Sequence, residues 1–315
     1  MLSKSVKGYL LAAVAEVTYG MNPLFTLPLY AEGMDANSVL FFRYLFALPV
    51  LAGMIIWRGR SFRIEKRDIP LLALFGMLFA LSSLTLYMSY NYMDAGIAST
   101  MLFVYPLIVA VLMWLFFKEK LTVHTLLCIG MALSGILLLY KGSDGSTLST
   151  VGTLLVMGSA LSYAIYLVGV DHGRIQTIAS LTVTFYVLLF GWTIFAGTAL
   201  CNGKGIILPP ADKWYLWFNM VALGIFPTAI SLLCTTQAIN YIGPTPVAIL
   251  GALEPATAIF FGVTVFHEQL TVRDGWGLLL IIGAVTLVVA GGNLSKPLLR
   301  IRKLFPKLPQ RGRKQ

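Results

Sequence analysis

The chain has 315 residues, 58% of them hydrophobic and only 11% charged, with a mean hydropathy of +0.82. A soluble domain carries about 25% charged residues, so the composition excludes an ordinary soluble protein and indicates an integral membrane protein. The net charge of +10 suggests nucleic acid at first sight, but the basic residues lie in short links and a C-terminal tail, and that reading fails.

A spanning helix needs about 20 mostly apolar residues. Ten stretches qualify, over about 8–30, 36–57, 69–92, 97–117, 122–140, 151–170, 178–200, 213–240, 244–266 and 272–291. Lys4 and Lys7 precede the first in the manner of a signal peptide. That run is long, contains Glu16 and lacks a convincing small-residue cleavage site, so it is expected to remain as span 1. Glu16 lies mid-span within Ala15-Glu16-Val17, followed by Tyr19, Asn22-Pro23 and Pro28. Span 2 carries Arg43 in its first half, within Phe41-Phe42-Arg43-Tyr44, and then Pro49. Span 3 contains Tyr87 and closes at Asn91, and span 4 holds Tyr105-Pro106. Span 5 has the small residues Gly130 and Ser134-Gly135, span 6 has Tyr163 and Tyr166, and span 7 has Trp192. Pro227, Gln237 and Asn240 lie on span 8, Leu253-Glu254-Pro255 on span 9, and Gly283, Gly291 and Gly292 along span 10.

From about residue 80 the chain repeats itself at an offset of 149. Asn91-Tyr92 returns as Asn240-Tyr241, Pro106 as Pro255, Glu119 as Glu268 and Gly142 as Gly291. The front of each half agrees more weakly, with Gly8 and Tyr19 matching Gly152 and Tyr163 at 144, and Ser38 and Tyr44 matching Ser180 and Tyr186 at 142. Each offset contains five spans, an odd number, so the second copy is upside down relative to the first. The expected fold is an all-α integral membrane protein of ten transmembrane helices in two inverted five-helix repeats, 1–143 and 144–292, followed by a basic tail, 293–315. An even span count puts both termini on one side. With both inside, 18 Lys and Arg lie inside and 4 outside, which sets both ends in the cytoplasm of a bacterial-type inner membrane. The tail's basic residues, among Pro and Leu, are expected to meet anionic lipid headgroups or to act as a disordered topogenic segment.

Inverted repeats are the usual build of secondary transporters, with the solute site at the repeat interface near the midplane. Charged groups inside the bilayer cost about 2.5–3.5 kcal/mol on insertion scales and normally pair, face an aqueous cavity or act in function. Glu16, Arg43 and Glu254 are such groups. Together they suit a zwitterionic or cationic small molecule, and a carboxylate among them is able to exchange a coupling proton. The competing reading of Arg43 is a structural pair with a carboxylate. Asn22, Asn91, Gln237 and Asn240 add polar groups; Asn91 and Asn240 are repeat equivalents that would cap helix ends or line gates. Tyr19, Tyr87, Tyr105, Tyr163, Tyr166 and Trp192 offer aromatic walls, although most aromatics in such chains form interface belts. Pro23, Pro106 and Pro255 are candidate hinges, because each removes a backbone bond. The small residues of spans 5 and 10 permit close contacts within the bundle or between protomers. The expected assembly is a monomer, which nothing in the sequence fixes.

There is no GxxxxGK[ST] loop, no HExxH, no acidic cluster and no nucleophile elbow. Cys128, Cys201 and Cys234 have no paired spacing, and His124, His172 and His267 fall at separate span ends. No metal, cofactor, nucleic-acid partner or enzymatic activity is expected.

Phe42-Arg43-Tyr44-Leu45-Phe46-Ala47, Leu253-Glu254-Pro255, and Glu119 and Glu268 closing spans 4 and 9 resemble the EamA family of the drug/metabolite transporter superfamily. The resemblance covers the chain to about residue 292. It implies export of small metabolites, commonly amino acids or related compounds, by alternating access, through a cavity lined by spans 1, 3, 4, 6, 8 and 9. The residues around Glu16 are also similar to helix 1 of the small multidrug exporters, whose membrane glutamate binds protons and cations. Two departures stand out. Tyr19-Gly20 occupies a place where the family often has Trp-Gly, and Tyr105-Pro106 answers to Glu254-Pro255. The leading expectation is a secondary exporter of amino acids or related metabolites. The alternatives are a proton-coupled exporter of lipophilic cations and, in another class, a membrane enzyme or lipid-handling protein.

Overall fold

The computed structural model describes residues 3–92, 98, 101–119, 122–139, 149–171, 173–201, 205–265, 272–273 and 275–287. The basic tail, Glu268, His267, Gly291 and Gly292 lie outside the described residues, as does the expected contact of the tail with anionic lipid. Among the described residues all regular structure is helical. Six stretches are long and apolar enough to cross a membrane: Lys4–Ala31, Ala36–Trp57, Ile69–Ser89, Thr150–Val170, Ser180–Cys201 and Trp214–Ile242. Tyr105–Phe117, Val123–Leu138 and Gly275–Leu287 are shorter apolar helices. Lipid supplies no hydrogen-bond partners, so a spanning backbone has to satisfy its own N–H and C=O groups, which a helix does.

In chain order the helices are α1 Lys4–Tyr19, α2 Asn22–Ala31, α3 Ala36–Trp57, α4 Ile69–Ser89, α5 Tyr105–Phe117, α6 Val123–Leu139 and α7 Thr150–Val170. Next come α8 Ser180–Cys201, α9 Trp214–Gly224, α10 Ser231–Ile242, α11 Pro244–Leu250, α12 Leu253–Val265 and α13 Gly275–Leu287. Side-chain caps start several of them. Asp35 accepts from the Ser38 N–H at 3.1 Å ahead of α3, and Ser149 accepts from the Gly152 N–H at 3.4 Å ahead of α7. Each cap satisfies a donor that the first helical turn leaves free.

The helices are apolar all round, so small residues and buried polar pairs decide which faces meet. Helix α4 lies against α7 and α8, α3 against α8 and α9, α1 against α10, and α5 against α7 and α11. Helices from residues before 143 thus pack mainly on helices that follow it. At Gly76 the α4–α8 approach leaves no room for a side chain: a Cβ there would sit 2.7 Å from the Val187 carbonyl oxygen. Ser82 and Ser159 join α4 to α7 through a 3.0 Å hydroxyl contact.

Four of the expected continuous spans are interrupted, span 4 among them, where a turn at Phe103–Val104 precedes α5. Span 1 breaks at Gly20–Met21 between α1 and α2. Span 8 widens into a π-helical segment, Ile225–Ile230, between α9 and α10. Span 9 breaks at Gly251–Ala252 between α11 and α12. The prolines explain much of this. Pro23 and Pro106 are the second residues of α2 and α5, and Pro255 is the third of α12. Proline is tolerated in a first turn, where its missing N–H would have no partner. These prolines therefore start new helices after a break and do not bend continuous ones.

Candidate functional site

The helix interruptions converge. At Gly20 a Cβ would lie 2.7 Å from the Glu254 carbonyl oxygen and 2.7 Å from the Thr257 Cβ, so the end of α1 presses on the first turn of α12. At Gly251 a Cβ would overlap the Tyr105 hydroxyl, so the first residue of α5 inserts at the α11–α12 break. Tyr19 ends α1, Tyr105 begins α5 and Glu254 is the second residue of α12. Discontinuous helices at membrane depth are tolerated where the freed backbone is buried in protein or lines a cavity.

Arg43 projects from α3 into this region and is completely buried, with 0% exposure. Its Nε donates to Thr228 Oγ1 at 2.7 Å, one terminal nitrogen donates to the Tyr87 hydroxyl at 3.2 Å, and the other donates to the Pro227 carbonyl at 3.2 Å. The guanidinium carbon stands 5.4 Å from the centre of the Tyr19 ring. Thr228 and Pro227 belong to the π-helical segment, so the irregular turn supplies two of the three acceptors. π-helical turns recur at functional sites. Among the described residues Arg43 forms no ion pair with Glu16 or Glu254, so the structural carboxylate pair considered from sequence is absent and neutral oxygens hold the guanidinium.

Glu16 is 4% exposed on α1. Neither its carboxylate nor that of Glu254 has a hydrogen-bond partner among the described residues. The two lie within electrostatic reach of one another, and Glu254 is within reach of Arg43. Tyr105 and Tyr163 are within reach of both carboxylates. The rings form a wall beside them: Tyr105 and Tyr163 are 5.0 Å apart edge-to-face, and Tyr163 and Tyr166 are stacked at 6.2 Å. The Tyr166 hydroxyl lies 3.5 Å from Thr236 Oγ1 on α10.

Glu16, Tyr19, Arg43, Tyr87, Tyr105, Tyr163, Tyr166 and Glu254 are thus brought together. Asn22, at the start of α2, has a buried Oδ1 with no hydrogen-bond partner. Other candidates lie elsewhere. Asn91 is exposed in the turn after α4, its N–H bonded to the Met88 carbonyl. Asn240 is exposed at the far end of α10 and ties it to α8, donating to Ser180 Oγ at 3.0 Å. Gln237 is half-buried on α10 with no hydrogen bond to the cluster. Trp192 meets Phe41 in a tilted contact at 5.3 Å, and its ring nitrogen is buried with no hydrogen-bond partner among the described residues.

Several contributors escaped the sequence reading: Thr26, Tyr30, Thr228 and the Pro227 carbonyl. Thr26 and Tyr30 follow Asn22 at intervals of four on α2, a helical spacing that would have marked them. Thr228 is 185 residues from Arg43 and carries no local signal. At the end of α2, Glu32 accepts from Lys213 Nζ at 2.6 Å and from the Tyr215 hydroxyl at 3.3 Å. The hydrogen bond from Lys213 holds the Glu32 carboxyl below its ordinary value, and the same bond raises the Lys213 ammonium.

Comparison with known proteins agrees with this architecture. The model of the EamA-like transporter family matches residues 6–141 and 150–290. An uncharacterized transporter of Archaeoglobus fulgidus is 29% identical over 256 residues, covering 81% of this chain and 87% of its own length. The uncharacterized transporter YvbV of Bacillus subtilis is 25% identical over 227 residues, covering 70% of this chain and 73% of its own. A crystal structure superposes with a TM-score of 0.78 at 16% identity over 93% of this chain and 99% of that one, a likeness of fold. These relatives are named as transporters and not as enzymes. The chain is a multi-pass membrane transporter for a small-molecule substrate, and it belongs to the EamA-like transporter family.

Proposed function

We propose that the protein is a secondary carrier that exports amino acids or related small metabolites by alternating access, built as ten spans in two inverted five-helix halves with both termini cytoplasmic. The observation that carries the reading is the pair of carboxylates, buried Glu16 and half-buried Glu254, without hydrogen-bond partners among the described residues at a point where broken helices meet. Acceptors held in a low-dielectric site favour a bound ammonium group or a proton over an empty state. Arg43, fixed by three oxygens, adds a positive charge that would orient the carboxylate end of a zwitterion without having to move. Pro23, Pro106 and Pro255 begin the helices that would tilt as one half rocks against the other.

A second reading, export of lipophilic cations coupled to protons, is favoured by one observation. Each of the three guanidinium nitrogens of Arg43 already donates to an oxygen, whereas the carboxylates stand beside the Tyr105 and Tyr163 rings. Aromatic faces attract cations. The test is flux in proteoliposomes. A thermal-shift screen against amino acids, amines and quaternary cations identifies the solute, since a ligand that binds only the folded state raises its stability. Glu16→Gln is then expected to abolish the response of flux to an imposed pH gradient. Undiminished flux that still responds to the gradient would refute the role given to Glu16.

A further inference from the structure

A polar column leads away from the cluster along one face of α2. Asn22, Thr26 and Tyr30 recur every four residues and so share that face. Thr26 Oγ1 lies 3.4 Å from the Tyr87 hydroxyl, which also accepts from Arg43. The Tyr30 ring meets the Tyr87 ring edge-to-face at 6.1 Å, and Tyr87 meets Tyr90 at 5.6 Å. Tyr30 is within electrostatic reach of both Arg43 and Asp35, so the column joins the buried guanidinium to the exposed Asp35 end of the molecule. The other flanks of α2 differ. Phe25 stacks on Phe226 at 6.3 Å, and Leu27 is 47% exposed to the apolar surround.

Two atoms of this face are out of balance. Asn22 Oδ1 and the Tyr30 hydroxyl are buried and have no hydrogen-bond partner among the described residues. Such groups are destabilising when dry, so each calls for a bonding partner such as a water, an ion or a ligand. On the opposite side of Glu16 the interior is shut. Ala12 and Ala15 are fully buried, and Gly8 packs so tightly on α10 that a Cβ would stand 2.6 Å from Ile242 Cγ2.

We propose that Asn22, Thr26 and Tyr30 line the lane by which the solute moves between the Glu16–Glu254 cluster and the face carrying Asp35, and that this lane favours cations. The proposal rests on the carrier reading above. The charges along the lane support its sign. Asp35 and Glu32 lie at the mouth and Glu16 and Glu254 at the base. Of the facing cations, Lys213 is paired with Glu32, and Arg43, whose neutral acceptors leave its charge uncancelled, stands against the two carboxylates Glu16 and Glu254.

The test uses the full chain in cells, with Cys128, Cys201 and Cys234 replaced and single cysteines placed at Asn22, Thr26, Tyr30, Leu27 and the exposed loop residue Ala211. Membrane-impermeant methanethiosulfonates, one carrying trimethylammonium and one carrying sulfonate, are added from the Asp35 side. The three lane cysteines are expected to react and Leu27→Cys to stay silent. Relative to Ala211→Cys, the cationic reagent should react roughly 10-fold faster in the lane than the anionic one, at the low end of electrostatic focusing. Silence at all three lane positions, or equal reaction at Leu27→Cys, would overturn the lane; equal rates for both reagents would overturn its preference for cations. Should one lane variant fail to fold, the other two decide. Labelling requires no transport. A labelled lane in a protein that moves no solute would sink the carrier reading and leave the lane, and an unlabelled lane in a working carrier would do the reverse.

Discussion

The hydrogen bonds of Arg43 predict what removing one oxygen does. In Tyr87→Phe the ring and its packing against Tyr30 remain, and only the hydroxyl is lost. That hydroxyl accepts from the buried guanidinium at 3.2 Å and lies 3.4 Å from Thr26 Oγ1. A hydrogen bond to a charged group contributes about 1.5–3 kcal/mol, and the long neutral contact adds less. A loss of about 2 kcal/mol is expected. At about 2.1 cal/mol/K per residue, a chain of 315 residues then falls by roughly 3 °C in Tm. The assay is thermal unfolding of purified protein in detergent, followed by size-exclusion fluorescence. Thr26→Val, which removes only the neutral contact, should shift Tm by less than half as much. The decisive comparison repeats Tyr87→Phe in an Arg43→Met background, where no charge remains to be bonded and the effect should nearly vanish. If Tyr87→Phe is as damaging with methionine at position 43 as with arginine, the hydroxyl does not act through the guanidinium, and the account of Arg43 as a charge held by neutral oxygens is refuted.

Gly251→Ala should lower stability by about 1–3 kcal/mol through overpacking, because the new methyl overlaps the Tyr105 hydroxyl. Partial recovery of Tm in Gly251→Ala with Tyr105→Leu would confirm the contact. The Glu32–Lys213 bond has a definite pH signature. A carboxyl held below its ordinary value contributes stability above that value and loses it as pH falls through the lowered one, while the raised ammonium loses its share only at alkaline pH. Glu32→Gln should therefore be less stable than the parent near neutral pH and match it in strong acid. The gap should narrow in about 1 M salt, which screens exposed pairs.

Much of the helical layout was legible because hydropathy in a bilayer is a length signal. The ranges 36–57, 69–92, 151–170 and 178–200 were expected, and the structure has Ala36–Trp57, Ile69–Ser89, Thr150–Val170 and Ser180–Cys201. The interruptions were not legible as interruptions. Averaging over about 20 residues passes across Gly20–Met21 and Gly251–Ala252 without registering them, and Pro227 reads as a kink when it belongs to a π-helical segment. Glu16, Arg43 and Glu254 stood out because each is costly in lipid. Their setting did not, since it depends on contacts such as Thr228 with Arg43 that join distant parts of the chain. Asn91 was expected at the end of span 3, as a cap or a gate residue; α4 ends at Ser89 and leaves Asn91 in an exposed turn just beyond it.

The repeat gains meaning where its copies disagree. Pro106 and Pro255 occupy equivalent positions, and each lies in the first turn of a helix that starts after a break. Residues directly before them are Tyr105 and Glu254, and the fold brings both to one place: the Tyr105 hydroxyl rests against Gly251, three residues ahead of Glu254. A strictly symmetric pair would put either two phenols or two carboxylates there. Two further carboxylates beside Glu16 would add like charges in a low-dielectric region, which is strongly unfavourable. Two phenols would leave Arg43 with only Glu16 as a compensating charge. The observed combination keeps one carboxylate from α12 within reach of Arg43 and sets a neutral ring where the first copy would have placed the other. On the inverted-repeat reading, that asymmetry gives the cluster a polarity along the membrane normal, which a carrier needs if it is to handle the two ends of its solute differently.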